Sequence, residues 1–207
     1  MVAPAHIAIG KLALEQTSLK NDLDIYKKVY MFGCIAPDIN FIYPFHNIKC
    51  TPKRFIKRLE RMKKIKSKLI RSFTLGVIMH YLCDYFCLAH NNQSYGAKHT
   101  LYERLMNHKL KLQELEPDDS LQLVKSFWAE AVESYENGGT DDIDKFLEAR
   151  EDKSIEIFEL VSYMNNKYLT YVKDKAGKNW CTSKEQMYID LSWSLFMCER
   201  VGELVTA

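Results

Sequence analysis

Apolar residues recur at helical spacing along almost the whole chain, and the alternating pattern of strands is absent from it. This periodicity predicts an all-α, multi-helix bundle in which residues 1–207 form a single domain. A stretch at about 67–89 is apolar on nearly every side, which is typical of a helix buried at the centre of a bundle. A first helix is expected from just after Pro4 to Leu19. A loop is expected over residues 33–38, where glycine and proline interrupt the pattern.

A basic helix is predicted to begin at Thr51 and Pro52, since threonine is a common cap and proline suits a first turn. Residues 53–71 contain many lysines and arginines, and Glu60 is the only acidic residue among them. We favour a solvated helix face whose apolar side packs in the core. The alternative is a surface for phosphate-rich partners, either anionic lipid in peripheral contact with a membrane or nucleic acid. A net charge of +2 gives no strong signal for nucleic acid.

The predicted central helix carries two residues that bind metals in many proteins, His80 and Asp84. Residues four apart lie on one helical face, so both side chains can reach the same ion. His90 follows, and then a second such pair, His99 and Glu103. Imidazole nitrogen and carboxylate oxygen suit zinc. One pair alone would be read as ordinary surface residues, but two pairs around a third histidine favour a buried metal cluster.

Cysteine spacing and the chain start bear on location. None of the six cysteines forms a C-x2-C pair, so we expect free thiols rather than a cysteine zinc site. No stretch approaches the roughly 20 apolar residues of a membrane span. The first residues do not resemble a secretory signal. The expected location is cytoplasmic, or secreted if a leader has been removed.

The candidate ligands occur within residues 6–103 in the following order: His6, the segment Gly33 to Pro37–Asp38, His46, His80, Asp84, His90, His99 and Glu103. This ordered set resembles that of the bacterial zinc-dependent phospholipase C family and, distantly, of S1/P1-type nucleases. The resemblance implies an all-α fold with three zinc ions. One ion would be held by Asp38, His46, His80 and Asp84, and a second by His90, His99 and Glu103.

The third ion would be shared by His6 and Asp84 with backbone atoms of the N-terminus. In the secreted enzymes a processed N-terminal tryptophan supplies those atoms, whereas this chain opens with Met1. The interval between Asp38 and His46 is also shorter than is usual in the family, and no C-terminal membrane-binding domain is seen. We therefore expect two or three zinc ions. The third requires the first five residues to fold back onto the cluster.

The implied activity is phosphodiester hydrolysis of the phospholipase C type, in which a zinc-bound hydroxide attacks the phosphate of a phospholipid head group. Clustered zinc ions lower the pKa of a bound water toward about 7 and neutralise phosphoryl charge. Asp38 is the candidate catalytic residue that would orient or deprotonate this water, although it can equally be a ligand only. The alternatives are an S1/P1-like nuclease or nucleotidase and a non-catalytic, zinc-stabilised helical binding module. The residues of the predicted loops do not indicate which phosphoester is the substrate.

Two other helical metalloprotein classes fit poorly. HD phosphohydrolases need a histidine followed directly by an aspartate, and no such dipeptide occurs here. Di-iron carboxylate bundles need Glu-x-x-His motifs, whereas the pairs in this chain place the histidine first and four residues ahead of the carboxylate. The oligomeric state is not indicated by any feature of the sequence.

Overall fold

The computed structural model describes residues 3–16, 26–39, 48–91, 97–111, 119–136, 153–175 and 180–206. These residues form helices and short turns without any strand, so the all-α prediction is confirmed. The α-helices are α1 (Ala3–Gln16), α2 (Lys27–Gly33), α3 (Ala36–Ile39), α4 (Pro52–Lys64), α5 (Lys68–Tyr85), α6 (Leu88–Asn91), α7 (Ala97–Lys111), α8 (Asp119–Glu136), α9 (Lys153–Lys175) and α10 (Lys184–Thr206), with a 3-10 turn at Trp180–Thr182.

Helix α5 lies at the centre of the molecule and packs against α1, α2, α4 and α10. Its side chains are buried continuously from Thr74 to Tyr85, as its apolar character predicts. The first turn differs from the prediction, because Leu69 and Ile70 are 49% and 52% exposed. The helix is therefore surrounded by protein only over the part that carries His80 and Asp84.

The sequence predicted that the central helix ends near residue 89, but it ends at Tyr85. At this break, side chains from other helices form hydrogen bonds with backbone groups. The Leu88 N–H donates to Asp190 Oδ2 at 2.8 Å, and the Tyr85 carbonyl accepts from the side-chain amides of Asn91, at 2.8 Å, and Asn165. Because the break is stabilised by distant residues, local periodicity could not reveal it. It separates His90 from the helix that holds Asp84.

Helices α2 and α5 approach so closely that their backbones touch. A Cβ atom on Gly76 would lie 2.1 Å from the Tyr30 carbonyl oxygen, and one on Gly33 would lie 2.3 Å from the Phe73 carbonyl oxygen. Real Cβ atoms do not approach backbone this closely, so both positions require glycine. This close approach at Gly76 brings the turn after α2 to the middle of α5.

The segment predicted as a loop over residues 33–38 contains the short helix α3, and Asp38 lies within it. Proline is compatible with a first helical turn because its missing N–H would have no partner there. Within this turn, the Asp38 N–H donates a hydrogen bond to the Ile35 carbonyl at 3.1 Å. This turn gives the Asp38 carboxylate a fixed direction that a loop would not.

The predicted helix start at Thr51 and Pro52 is confirmed by α4. The Thr51 hydroxyl, however, pairs with the Tyr85 hydroxyl at 2.7 Å and does not cap the helix. The basic run continues past the end of α4 into the first turn of α5. Among the described helices, none is both long and apolar enough to cross a bilayer.

The core continues around the break through packed aromatic rings. Trp193 of α10 lies 5.9 Å from Phe86 and 5.4 Å from Tyr168, measured between ring centroids. Burying a large apolar side chain of this kind contributes roughly 1.5–3 kcal/mol. The five buried cysteines of the described residues, Cys34, Cys83, Cys87, Cys181 and Cys198, are not joined in disulfides. Packing of α9 and α10 against the break therefore supports the segment that leads to His90.

Candidate metal centre

Helix α5 supplies the centre of the site through His80 and Asp84, both of which have no solvent exposure. They are one turn apart, and His80 Nε2 lies 3.1 Å from Asp84 Oδ2. The other ring nitrogen of His80, Nδ1, lies 2.9 Å from the Cys34 carbonyl oxygen. Histidines that ligate metals usually donate their second N–H to such a carbonyl, which fixes ring orientation and tautomer. The close contact of α2 with α5 thus orients His80.

Four side chains from three parts of the chain converge in a first group: His6, Asp38, His80 and Asp84. One ligand atom from each lies within 4.8 Å of all the others. His6 Nε2 is 3.3 Å from Asp84 Oδ1 and 3.7 Å from Asp38 Oδ2, and the His6 ring stacks on His80. The proposed assignment of Asp38, His80 and Asp84 to one site therefore has the required proximity, and His6 joins it.

The buried ring of His6 tests whether this group fits a metal. His6 is 1% exposed, and neither of its ring nitrogens forms a well-directed hydrogen bond among the described residues, although Nε2 lies 3.3 Å from Asp84 Oδ1. Leaving buried polar atoms without a partner costs free energy, about 1–3 kcal/mol for each group. A cation at Nε2 would satisfy one of them. Two imidazoles and two carboxylates are a donor set suited to zinc, so these residues fit the ion.

A second group is formed by His90 on α6 with His99 and Glu103 on α7. Glu103 Oε1 lies 3.0 Å from His99 Nε2 and 3.5 Å from His90 Nε2. These side chains are slightly exposed, at 12–16%, in contrast to the fully buried His80 and Asp84. The sequence assigned the same three residues to one ion, and the structure brings all three together.

Asp84 connects the two groups. Its Oδ1 lies 3.3 Å from His6 Nε2 and 3.1 Å from His90 Nε2, while its Oδ2 faces His80. A carboxylate that faces histidines from both groups can bridge two ions. Removing it would therefore disturb both groups at once.

Burial and charge act in opposite directions on these groups. Burial lowers the pKa of His6 well below its ordinary value and lowers that of His90 to about 4. For His80 the same burial acts downward, but the Asp84 and Asp38 carboxylates outweigh it and raise the pKa. Burial acts upward on Asp84, yet the imidazoles around it hold its pKa well below the usual range. The cluster thus favours ionised carboxylates and neutral His6 and His90, which are the ligating forms.

His46 falls within residues 40–47, outside the described residues, so its predicted role stays a prediction. The same applies to Met1 and Val2, on which the third ion depends. Residue 3 already belongs to α1, so His6 is held in the first turns of a helix. The remaining seven predicted ligands all lie in the two groups.

A buried carboxylate that is not among the predicted ligands forms hydrogen bonds with the helices that carry the second group. Asp190 on α10 accepts hydrogen bonds from the Leu88 N–H, the hydroxyls of Tyr102 and Tyr168, and the Gln186 amide, at 2.5–2.8 Å. Leu88 begins the helix of His90, and Tyr102 precedes Glu103. Burial raises the pKa of Asp190 to about 6 against the effect of these donors.

The signal for Asp190 in the sequence was a lone carboxylate between Ile189 and Leu191 in an apolar helical stretch. A buried carboxylate is costly unless it is hydrogen-bonded, so such a residue predicts buried polar partners. Gln186 is four positions away along the chain, but the other partners lie 22 to 102 positions away, and only the fold identifies them.

The family comparison agrees with this all-α fold and its two histidine–carboxylate groups. Residues 5–177 match the model of a protein family described as "Zinc dependent phospholipase C". The match spans most of the chain, so the protein belongs to the zinc-dependent phospholipase C family. The corresponding search of curated proteins found no match. The search of solved structures also found none.

Proposed function

We propose that this protein is a zinc-dependent phosphodiester hydrolase that cleaves phospholipids in the manner of a phospholipase C. The observation that carries the proposal is the pair of nitrogen-and-oxygen ligand groups that share Asp84. His6, Asp38, His80 and Asp84 would hold one zinc ion, and His90, His99 and Glu103 a second. His46 would add a ligand to the first ion. A third ion, held by His6 and Asp84 with N-terminal backbone atoms, remains a prediction, and it would take His6 from the first ion.

Bound zinc would supply a Lewis acid and a water of lowered pKa. The protein's own contribution is to hold the ligands in place before any ion binds. The Cys34 carbonyl fixes the His80 ring, and the Asp190 hydrogen bonds fix the start of α6 ahead of His90. Because these ligands are already fixed, they need no rearrangement during the reaction. Such preorganisation is the basis of electrostatic catalysis.

Asp38 is the residue we propose to act on the attacking water. Its carboxylate is 28% exposed and lies 3.6–3.7 Å from the Nε2 atoms of His80 and His6, farther than Asp84 does. A carboxylate at the open side of the group can accept a proton from a water held there. Asp84, fully buried among three histidines, has no such access and acts as a ligand only.

Substrate would approach from the side of the more exposed ligands Asp38, His90, His99 and Glu103. The three carboxylates Asp38, Asp84 and Glu103 offset only three of the positive charges that two or three divalent ions bring. The loaded site would therefore stay positive and attract a phosphate. A phospholipid head group is the substrate that family membership favours. A cytoplasmic location remains part of the proposal.

The test is an activity panel on the purified protein, with zinc content measured on the same sample. The panel contains short-chain phosphatidylcholine, phosphatidylethanolamine and phosphatidylinositol, single-stranded DNA and a mononucleotide. We expect release of a phosphorylated head group from at least one phospholipid, loss of this activity with chelator, and recovery with zinc. Cleavage of DNA or the nucleotide alone would favour the nuclease alternative. Two bound zinc ions without any hydrolysis would favour a non-catalytic binding module.

A further inference from the structure

A cavity of about 450 Å³ lies beside the start of α5, whereas His80 and Asp84 lie in the second half of that helix. It is formed where α4 and α10 end and where α5 and α9 begin. Its volume falls in the range of roughly 300–1,000 Å³ that is common for small-molecule pockets. The apolar part of its wall comprises Leu59, Met62, Ile65, Ile157, Leu204 and Val205.

Three cations, Lys63, Arg71 and Lys153, line the same cavity. Within the described part of the chain, none of the three forms an ion pair with a carboxylate. Arg71 is held at the cavity by a 3.4 Å hydrogen bond to the Thr206 carbonyl. The cavity thus combines an apolar wall with three cations that form no ion pair with a described carboxylate.

Two of these cations lie at helix N-termini, where the partial positive charge balances the partial negative charge of the α4 and α10 C-termini at the same cavity. Arg71 lies in the first turn of α5, and Lys153 is the first residue of α9. A helix N-terminus carries partial positive charge, so a cation there is unfavourable and an anion is favourable. Glu156, in the first turn of α9, offsets part of this charge. The three cations of the cavity still favour a bound anion.

We propose that this cavity binds an anionic amphiphile, with an alkyl chain against the apolar wall and a phosphate or carboxylate head among Lys63, Arg71 and Lys153. The guanidinium of Arg71 matches either head group in a two-point hydrogen bond. Along α5, at 1.5 Å per residue, Arg71 is about 14 Å from His80 and about 20 Å from Asp84. This site is therefore separate from the metal centre and does not depend on the proposed hydrolysis.

The test is calorimetric titration of the zinc-loaded protein with decyl phosphate and with decanoate, both below the concentration at which they form micelles. We expect saturable binding of one molecule per chain for at least one of them, and the preferred head group distinguishes a phosphorylated lipid from a fatty acid. Inorganic phosphate and decanol should each bind at least about tenfold more weakly, because each lacks one half of the interaction. Absence of saturable binding by both amphiphiles would overturn the proposal.

Two variants locate the binding. Val205→Trp fills the cavity from a partly exposed position, and the double variant Lys63→Gln with Arg71→Gln removes two of its cations. Each should weaken binding by about tenfold or more. The matched control, Lys53→Gln with Lys57→Gln, removes the same charge from exposed positions of α4 outside the cavity and should leave binding unchanged.

Unchanged binding in both cavity variants would overturn the site, as would an equal loss in the control pair. Loss of binding in Asp84→Ala, with retention in Val205→Trp, would assign the amphiphile to the metal centre and also overturn it. Circular dichroism confirms that each variant is folded. If Val205→Trp is not, the charge pair carries the test, because Lys63 and Arg71 both reach solvent. Hydrolysis at the metal centre is measured separately, so failure of one proposal is distinguishable from failure of the other.

Discussion

Among the proposed zinc ligands that the structure describes, Asp38 has the most exposed side chain. Asp38→Asn keeps one oxygen that can contact an ion but removes the ability to accept a proton. If Asp38 acts on the water, kcat should fall by about 10²–10⁴ while zinc content is retained. Zinc analysis and single-turnover hydrolysis on the same preparation measure the two effects.

Asp84→Asn is the matched control for Asp38→Asn, because Asp84 faces histidines of both groups. We expect it to lose zinc and activity together. If Asp38→Asn also loses zinc in proportion to activity, Asp38 is a ligand without a separate catalytic role.

The hydroxyls of Tyr102 and Tyr168 each donate to Asp190, one to Oδ2 and the other to Oδ1. Tyr102 adjoins Glu103, whereas Tyr168 adjoins no proposed ligand. Tyr102→Phe should therefore weaken zinc binding by about 10–100-fold, as is typical for a residue that orients a ligand. Tyr168→Phe should lower the free energy of unfolding about as much as Tyr102→Phe does, but it should change zinc affinity less. Equal zinc affinities, measured by chelator competition, would show that Asp190 only stabilises the fold.

At the scale of helices, the contact of α2 with α5 determines where Cys34 and Asp38 lie. Gly76→Ala would place a Cβ atom 2.1 Å from the Tyr30 carbonyl oxygen and 2.8 Å from the Cys34 nitrogen. Both are backbone atoms, so the helices must separate, at a cost of roughly 1–3 kcal/mol. The Cys34 carbonyl would then move from His80, and zinc affinity should fall along with the free energy of unfolding.

Gly10→Ala is the control for Gly76→Ala, since the nearest atom to its Cβ would be the Cys34 side-chain sulfur, at 2.8 Å. A side chain can shift, and alanine favours a helix by about 1 kcal/mol relative to glycine. We expect this variant to be less destabilised in urea unfolding. A larger loss in Gly10→Ala than in Gly76→Ala would contradict the argument from backbone contact.

At the scale of the molecule, stability should depend on pH through the cluster. In zinc-free protein the pKa values of His6 and His90 lie below those in the unfolded chain, so the unfolded chain binds more protons below about pH 6.5. Stability should fall as the pH decreases from about 6.5 toward 4. The raised pKa of His80 opposes this with a single group. The depressed pKa of Asp84 adds a further loss at still lower pH.

Urea unfolding in the presence of chelator, followed from pH 7 to pH 4, measures this dependence. We expect one transition at each pH if residues 1–207 form a single domain. His90→Gln should flatten the pH dependence, whereas His108→Gln, at an exposed position, should not. Added zinc should raise stability at pH 7 and lose this effect on acidification, because protons compete for the ligands. A stability that rises on acidification would contradict the prediction.

Sequence periodicity was sufficient for the helices, since amphipathic and all-round apolar patterns specify which faces are buried. It failed at the break after Tyr85 and at the helical turn of Asp38. The break is stabilised by Asp190 and Asn165, from helices far along the chain. The turn contains a proline that reads locally as a helix breaker. In both places the deciding hydrogen bonds or packing are absent from the local pattern.

Histidine and carboxylate spacing on one helix was enough to predict that His80 lies with Asp84 and His99 with Glu103. Helical periodicity was likewise enough to predict the all-α class. That His6 joins Asp38 and His80, that Asp84 faces both groups and that Asp190 supports His90 became visible only in the folded chain. The physical reason is that i,i+4 geometry is a property of a single helix, whereas these contacts depend on how separate helices pack.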